Sequence, residues 1–232
     1  MSTACKLNGV KTGRGRRRQR VSGDEREGAI LAAAERLLAE RTLHEVSVDD
    51  IARAAGISRP TFYFYFEGKD AVLLALLDRV VTEARRDRDD ALEAAGDDPL
   101  PAWRAVIEAF ARTWRANRGL IRSAEEARGA SAGVRELWER VTAQLVDETA
   151  AAIELERARG AAPPGPPAAD LAACLVLMNE RVLASACTGL QPAPAADGLV
   201  DTLLAVWLGA IYQGSAQPAA RRGKDSRRRR RS

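Results

Sequence analysis

Along most of this chain apolar residues recur every three to four positions, and that period predicts helices. Ile30, Ala34, Leu37 and Leu38 fall on one face of a first helix. Trp103, Ile107, Phe110 and Trp114 do the same on another, as do Val134, Trp138, Val141 and Leu145 on a third. Breaks rich in glycine and proline, GDDPLP at 96–101, GAAPPGPPAAD at 160–170 and GLQPAPAADG at 189–198, cut the pattern into helix-sized pieces. The predicted helices are 24–40, 47–54, 58–65, 69–95, 101–117, 119–128, 132–159, 168–188 and 197–213. The expected fold is all-α, with about nine helices and no internal repeat.

One stretch breaks the pattern. Phe62, Tyr63, Phe64, Tyr65 and Phe66 follow one another, an alternation that by itself reads as a strand. Its flanks favour a helix. Ser47-Val-Asp-Asp50 has the form of a capping box ahead of a short helix with Ile51, Ala52 and Ala55 as its apolar face. Gly56 supplies the exit turn, Ser58 caps a new helix, and Pro60 sits in its first turn, where a missing N–H costs little. Two short helices joined by a glycine turn make a helix-turn-helix. Wound as a helix, Phe62 and Phe66 face inward together, Pro60, Thr61 and Phe64 face away, and Tyr63 and Tyr65 lie on the shoulders. Hydroxyls reach phosphates and apolar faces meet thymine methyls, so the outward set suits a duplex groove.

Charge sharpens this picture. Residues 1–23 carry seven bases and no acids, and residues 214–232 carry eight bases and one acid. The whole chain is +4 and the two ends carry +7 each, so residues 24–213 have net charge −10. Basic arms on an acidic body suit a polyanion, and Arg16, Arg17 and Arg18 are candidate DNA contacts. The chain divides into a basic arm at 1–23, a helix-turn-helix domain at 24–70, a second helical domain at 71–213 and a basic tail at 214–232. No run approaches the roughly 18 apolar residues of a membrane helix, and no apolar segment follows the basic N-terminus, so the expected compartment is the cytoplasm. Three cysteines fit a reducing compartment, and Cys174 and Cys187 share one predicted helix, too far apart to join.

The single histidine, His44, leaves no His/Cys metal constellation. Nor is there a nucleophile–histidine pair or a phosphate-cradling glycine loop, which speaks against an enzyme and against a cofactor. A nonspecific architectural DNA binder using the basic ends, and a carrier of apolar molecules, compete with a ligand-responsive regulator.

SVDDIARAAGISRPTFYFYFEGKDAVLLALLDRV, residues 47–80, resembles the DNA-binding signature of the TetR family of repressors. With ELWERV, LMNERVLAS and LVDTLLAVWLGAIY further on, the likeness covers about residues 20–213, and the chain resembles in particular a member controlling a flavin-dependent monooxygenase gene. The resemblance implies a dimer on a palindromic double-stranded operator, released by a small apolar ligand, with no membrane partner. It implies DNA contacts at Arg59, Pro60, Thr61, Tyr63, Phe64, Tyr65 and Lys69, with Tyr63 and Lys69 mainly holding phosphates. It places Trp103, Phe110, Trp138, Asn179, Glu180 and Trp207 at a ligand pocket, and Ile107, Trp114, Leu145, Thr149 and Leu183 complete the candidate set. Asn179 is the residue of interest by chemistry, since a mid-helix amide among apolar neighbours needs a partner, either a neighbouring helix or a ligand. Aromatic residues expected at Leu145, Glu148 and Ala184 are absent, which implies a reshaped pocket. The long helix from Lys69 is expected to form part of its wall, and the last two helices a four-helix dimer interface.

Overall fold

The computed structural model describes residues 23–96, 98–189 and 191–212. These form nine helices and no strand: α1 (Gly23–Glu40), α2 (Val48–Ala54), α3 (Arg59–Tyr65), α4 (Lys69–Ala95), α5 (Pro99–Ala116), α6 (Arg118–Ala127), α7 (Ala132–Ala158), α8 (Ala168–Thr188) and α9 (Leu199–Tyr212). The predicted helices recur within two residues at either end. The starts of α5 and α9 shift by two; α5 starts at Pro99 because Asp98 accepts a hydrogen bond from the Leu100 N–H at 3.1 Å.

Local chemistry shapes the first three helices as expected. Ser47 accepts from the Asp50 N–H at 3.1 Å while Asp50 accepts from the Ser47 N–H at 3.0 Å, a closed capping box. The Ser47 hydroxyl, which donates to the Asp50 carboxylate at 2.7 Å, and then the Ser47 N–H hold that carboxyl below its usual range. Gly56 turns the chain at φ +69°, a conformation that favours glycine. Ser58 then caps α3 by accepting from the Thr61 N–H.

Two cores form. The first gathers Ile30, Leu38, Ile51, Phe62, Leu73 and Leu76, and continues past residue 70 to take in Leu120, Ala124, Val134 and Leu137 of α6 and α7. The second is built on Trp103, Ile107, Trp114, Ile153, Leu183 and Trp207, and Trp138 packs against both. Where α6 meets the end of α1, the helix backbones touch: a Cβ added at Gly119 would lie 2.4 Å from the Leu38 carbonyl oxygen and 2.9 Å from the Ala39 Cα. No side chain fits there without displacing backbone.

The expectation of no membrane-length apolar stretch needs correcting: α8, at 21 residues, is long and apolar enough to span a bilayer by length and composition. Ala172, Leu175, Val176, Asn179 and Leu183 are buried on the protein side, while Leu177 and, on α9, Val206 stay exposed. On α8 one face lies in the core, and Leu177 is exposed on the other beside Asp170, Cys174 and Arg181. Cys174 is exposed and Cys187 half-buried, and both are free.

Candidate nucleic-acid interface and ligand cavity

Helix α3 presents what its sequence arrangement foretold. Phe62 is fully buried and packs edge-on against the Tyr63 ring, whereas Phe64 is 83% exposed. Tyr63 is exposed, Tyr65 and Thr61 are half-buried, and Arg59 and Pro60 face solvent. The Arg59 guanidinium donates to the Asp49 carboxylate at 2.9 Å and to the Tyr63 hydroxyl at 3.2 Å. The Tyr63 bond first, and the Asp49 charge second, raise its already high pKa. The result is an exposed strip of a cation, a phenol and an aromatic face, oriented by α2 and by the core beneath.

Lys69 departs from the sequence expectation. Its ammonium donates to the carbonyls of Leu43 at 2.6 Å, Val46 at 3.1 Å and His44 at 3.4 Å. An ammonium has three donors, so all are engaged by the loop between α1 and α2. In place of a free phosphate-holding cation, the side chain is a clamp tying that loop to the start of α4. Gly68, the residue before α4, offers no side-chain cap. Arg16, Arg17 and Arg18 lie outside the described residues.

The second site is a cavity of about 140 Å³ between α4, α5, α7 and α8. Its walls are Leu77, Val80, Val81 and Ala84 from α4, Val106, Phe110, Thr113 and Trp114 from α5, Trp138, Val141 and Leu145 from α7, and Val176 from α8. The rings are interlocked: Trp114 meets Trp138 edge-on at 5.9 Å and Phe110 lies 6.0 Å from Trp114. Glu180 also lines the space, but its carboxylate accepts from the Trp138 indole at 2.8 Å and from Arg128 at 2.9 Å. Arg128 sits over the Trp138 ring at 4.9 Å. At one side Arg85 donates to the Gln144 side-chain carbonyl, and Arg88 pairs with Glu148. Gln144 in turn donates to Glu148 at 2.8 Å.

Of the expected pocket residues, the structure therefore brings Phe110, Trp114, Trp138, Leu145 and Glu180 around the cavity. Trp103, Ile107, Thr149, Asn179, Leu183 and Trp207 are not among its lining. Asn179 is the instructive case: its side-chain carbonyl accepts from the Trp207 indole at 3.0 Å, so the amide oxygen is engaged by the neighbouring helix rather than held out for a ligand. The Trp103 ring lies tilted against Trp207 at 5.4 Å, and its indole donates to the Tyr212 hydroxyl at 2.9 Å, which donates to Glu156 at 2.8 Å. Ile107 and Leu183 are buried in the same core, and Thr149 is half-buried on α7. Sequence reasoning missed Arg85, Arg88 and Gln144. A signal existed, because Leu77, Val81, Ala84 and Arg88 continue one face of α4 at helical spacing.

Comparison with known proteins follows the same division. Residues 30–76 match the family described as bacterial regulatory proteins, tetR family, and residues 103–213 match the C-terminal domain of the transcriptional regulator EthR. The HTH-type transcriptional regulator EthR of Mycobacterium tuberculosis is 48% identical over 204 residues, covering 86% of this chain and 93% of that protein. EthR of Mycolicibacterium smegmatis is 46% identical over 212 residues, 91% of this chain and 96% of its own. A transcriptional regulator from Pseudomonas aeruginosa superposes with a TM-score of 0.68 at 18% identity, over 84% of this chain and 94% of that one.

Proposed function

Because the chain belongs to the TetR family of bacterial transcriptional regulators, and is not an enzyme, we propose that it is a repressor. It binds a palindromic operator as a homodimer and lets go when a small apolar effector fills the cavity. The observation that carries this reading is α4. Its first residue, Lys69, is tied to the loop that leads into the helix-turn-helix, and Leu77, Val80, Val81 and Ala84 on the same helix form a wall of the cavity. A ligand that pushes on that wall tilts the helix whose Leu73 and Leu76 share a core with Phe62 of α3.

Exposed Arg59, Tyr63 and Phe64 supply the DNA contacts, with the arm at Arg16, Arg17 and Arg18 adding phosphate attraction to an acidic body. The exposed sides of α8 and α9, with Leu177 and Val206, supply the two-fold contact. Two copies of α3 then read half-sites about one DNA turn or more apart. The gene regulated, on the strength of the sequence resemblance, encodes a flavin-dependent monooxygenase, and the protein works in the cytoplasm.

A hundredfold loss of operator affinity requires about 2.7 kcal/mol of coupling, within the range of allosteric proteins. All four tryptophans lie outside the helix-turn-helix, so their emission reports ligand and stays nearly silent to DNA. The test is a gel shift on the DNA flanking the protein's own gene, with apolar amides, esters and ketones titrated while emission and operator release are followed together. Ligands that move the tryptophan signal should release the operator. Ligands that move it at every concentration without touching operator affinity would refute the switch.

A further inference from the structure

We propose that the effector of this cavity is a small amphiphile with a carboxylate head, held by Arg85. The inference rests on the reading of the cavity as the effector site and adds a chemical class to it. Arg85 is half-buried and lines the cavity. Its partner is the side-chain carbonyl of Gln144, a neutral group. Among the described residues no carboxylate lies within the 4.0 Å of an ion pair with it. The other charges around the cavity are balanced. Arg88 is paired with Glu148 and with Asp89, and Glu180 with Arg128 at 2.9 Å. The lining therefore holds one cation without a counter-ion, beside a wall of Val81, Ala84, Val141 and Leu145.

A guanidinium carries five N–H donors, of which Gln144 occupies one, which leaves others for a ligand. A carboxylate can accept two parallel hydrogen bonds from it, the strong bidentate form. The apolar body of the ligand then lies against Phe110, Trp114 and Trp138. A cavity of about 140 Å³ is close to the engineered cavity of about 150 Å³ that holds benzene, so a body of about six carbons fits.

The probes are hexanoate and its neutral counterpart of the same shape, hexanamide, titrated against the full-length protein at about pH 7.5, where the acid is ionised. Quenching of tryptophan emission is the readout, since Trp114 and Trp138 are in the walls. Hexanoate should bind about tenfold more tightly than hexanamide, as expected for hydrogen bonds to a charged group. Arg85→Gln should abolish the difference by weakening hexanoate alone. Gln144→Ala, which frees the guanidinium, should strengthen hexanoate. Added NaCl should narrow the gap in the unaltered protein, a reading that needs no variant to fold. Equal affinity for the two probes, or a preference that survives Arg85→Gln, overturns the carboxylate inference and leaves the apolar pocket standing. No quenching by either probe at any concentration removes both.

Discussion

Phe62 and Phe64 are two positions apart on one helix, and that separation turns them to opposite sides. Phe62 is fully buried and Phe64 is 83% exposed, so identical substitutions have different consequences. Phe62→Ala should destabilise the protein by about 3–5 kcal/mol, as a truncated core aromatic does. Phe64→Ala should leave the thermal unfolding midpoint within error of the parent while weakening operator binding in a gel shift. A midpoint lowered as much by Phe64→Ala as by Phe62→Ala would show that the helical phase is misplaced. This phase was legible in the sequence because it depends on neighbours within one turn. The partners of Lys69 and Asn179 were not. Lys69 is held by backbone carbonyls more than twenty residues earlier, which any side chain would carry, and Asn179 by an indole 28 residues later. Chemistry announced that the amide needed a partner; only the packing of α8 on α9 says that Trp207 is the one.

At the scale of the helix, one apolar stripe divides between two destinations. On α5, Trp103 and Ile107 enter the core shared with α9, while Phe110 and Trp114 reach the cavity. The spacing of the four residues is uniform, so the sequence shows one face and not the two neighbours that share it. The first end of that stripe closes a polar chain joining three helices, from Trp103 on α5 through Tyr212 on α9 to Glu156 on α7. Burial, with the neighbouring Glu156 carboxylate, pushes the Tyr212 phenol up to about 12. In the unfolded chain it titrates near 10. The raised value means that the folded state favours the protonated phenol. Its contribution is complete below about pH 10 and is lost as pH rises towards 12. Denaturant unfolding across that window should show a fall in stability that Tyr212→Phe diminishes. An identical fall in the variant would place the pH sensitivity elsewhere.

At the scale of the whole molecule, fold and interface were legible to different depths. Periodicity and punctuation placed the helices, and the pattern at 58–66 placed the exposed side of α3. The cavity was only half legible, because α4 contributes its wall from a helix that otherwise reads as core and charge. The opposed charges of body and ends are a property of the chain as a whole, and the arm and tail that carry the positive excess lie outside the described residues. What the structure adds at this scale is the tightness of the join between α1 and α6. Gly119 presses α6 against the end of α1 with nothing between them. A single methyl there would act as a shim driven into the joint. Overpacking of this kind costs about 1–3 kcal/mol, and the strain has only rigid backbone at Leu38 and Ala39 to move. Gly119→Ala should therefore fold with a lowered unfolding midpoint yet hold operator DNA poorly with no effector present, a regulator jammed in its released posture. Full operator affinity in that variant would mean that α1 and α6 can part slightly without DNA noticing.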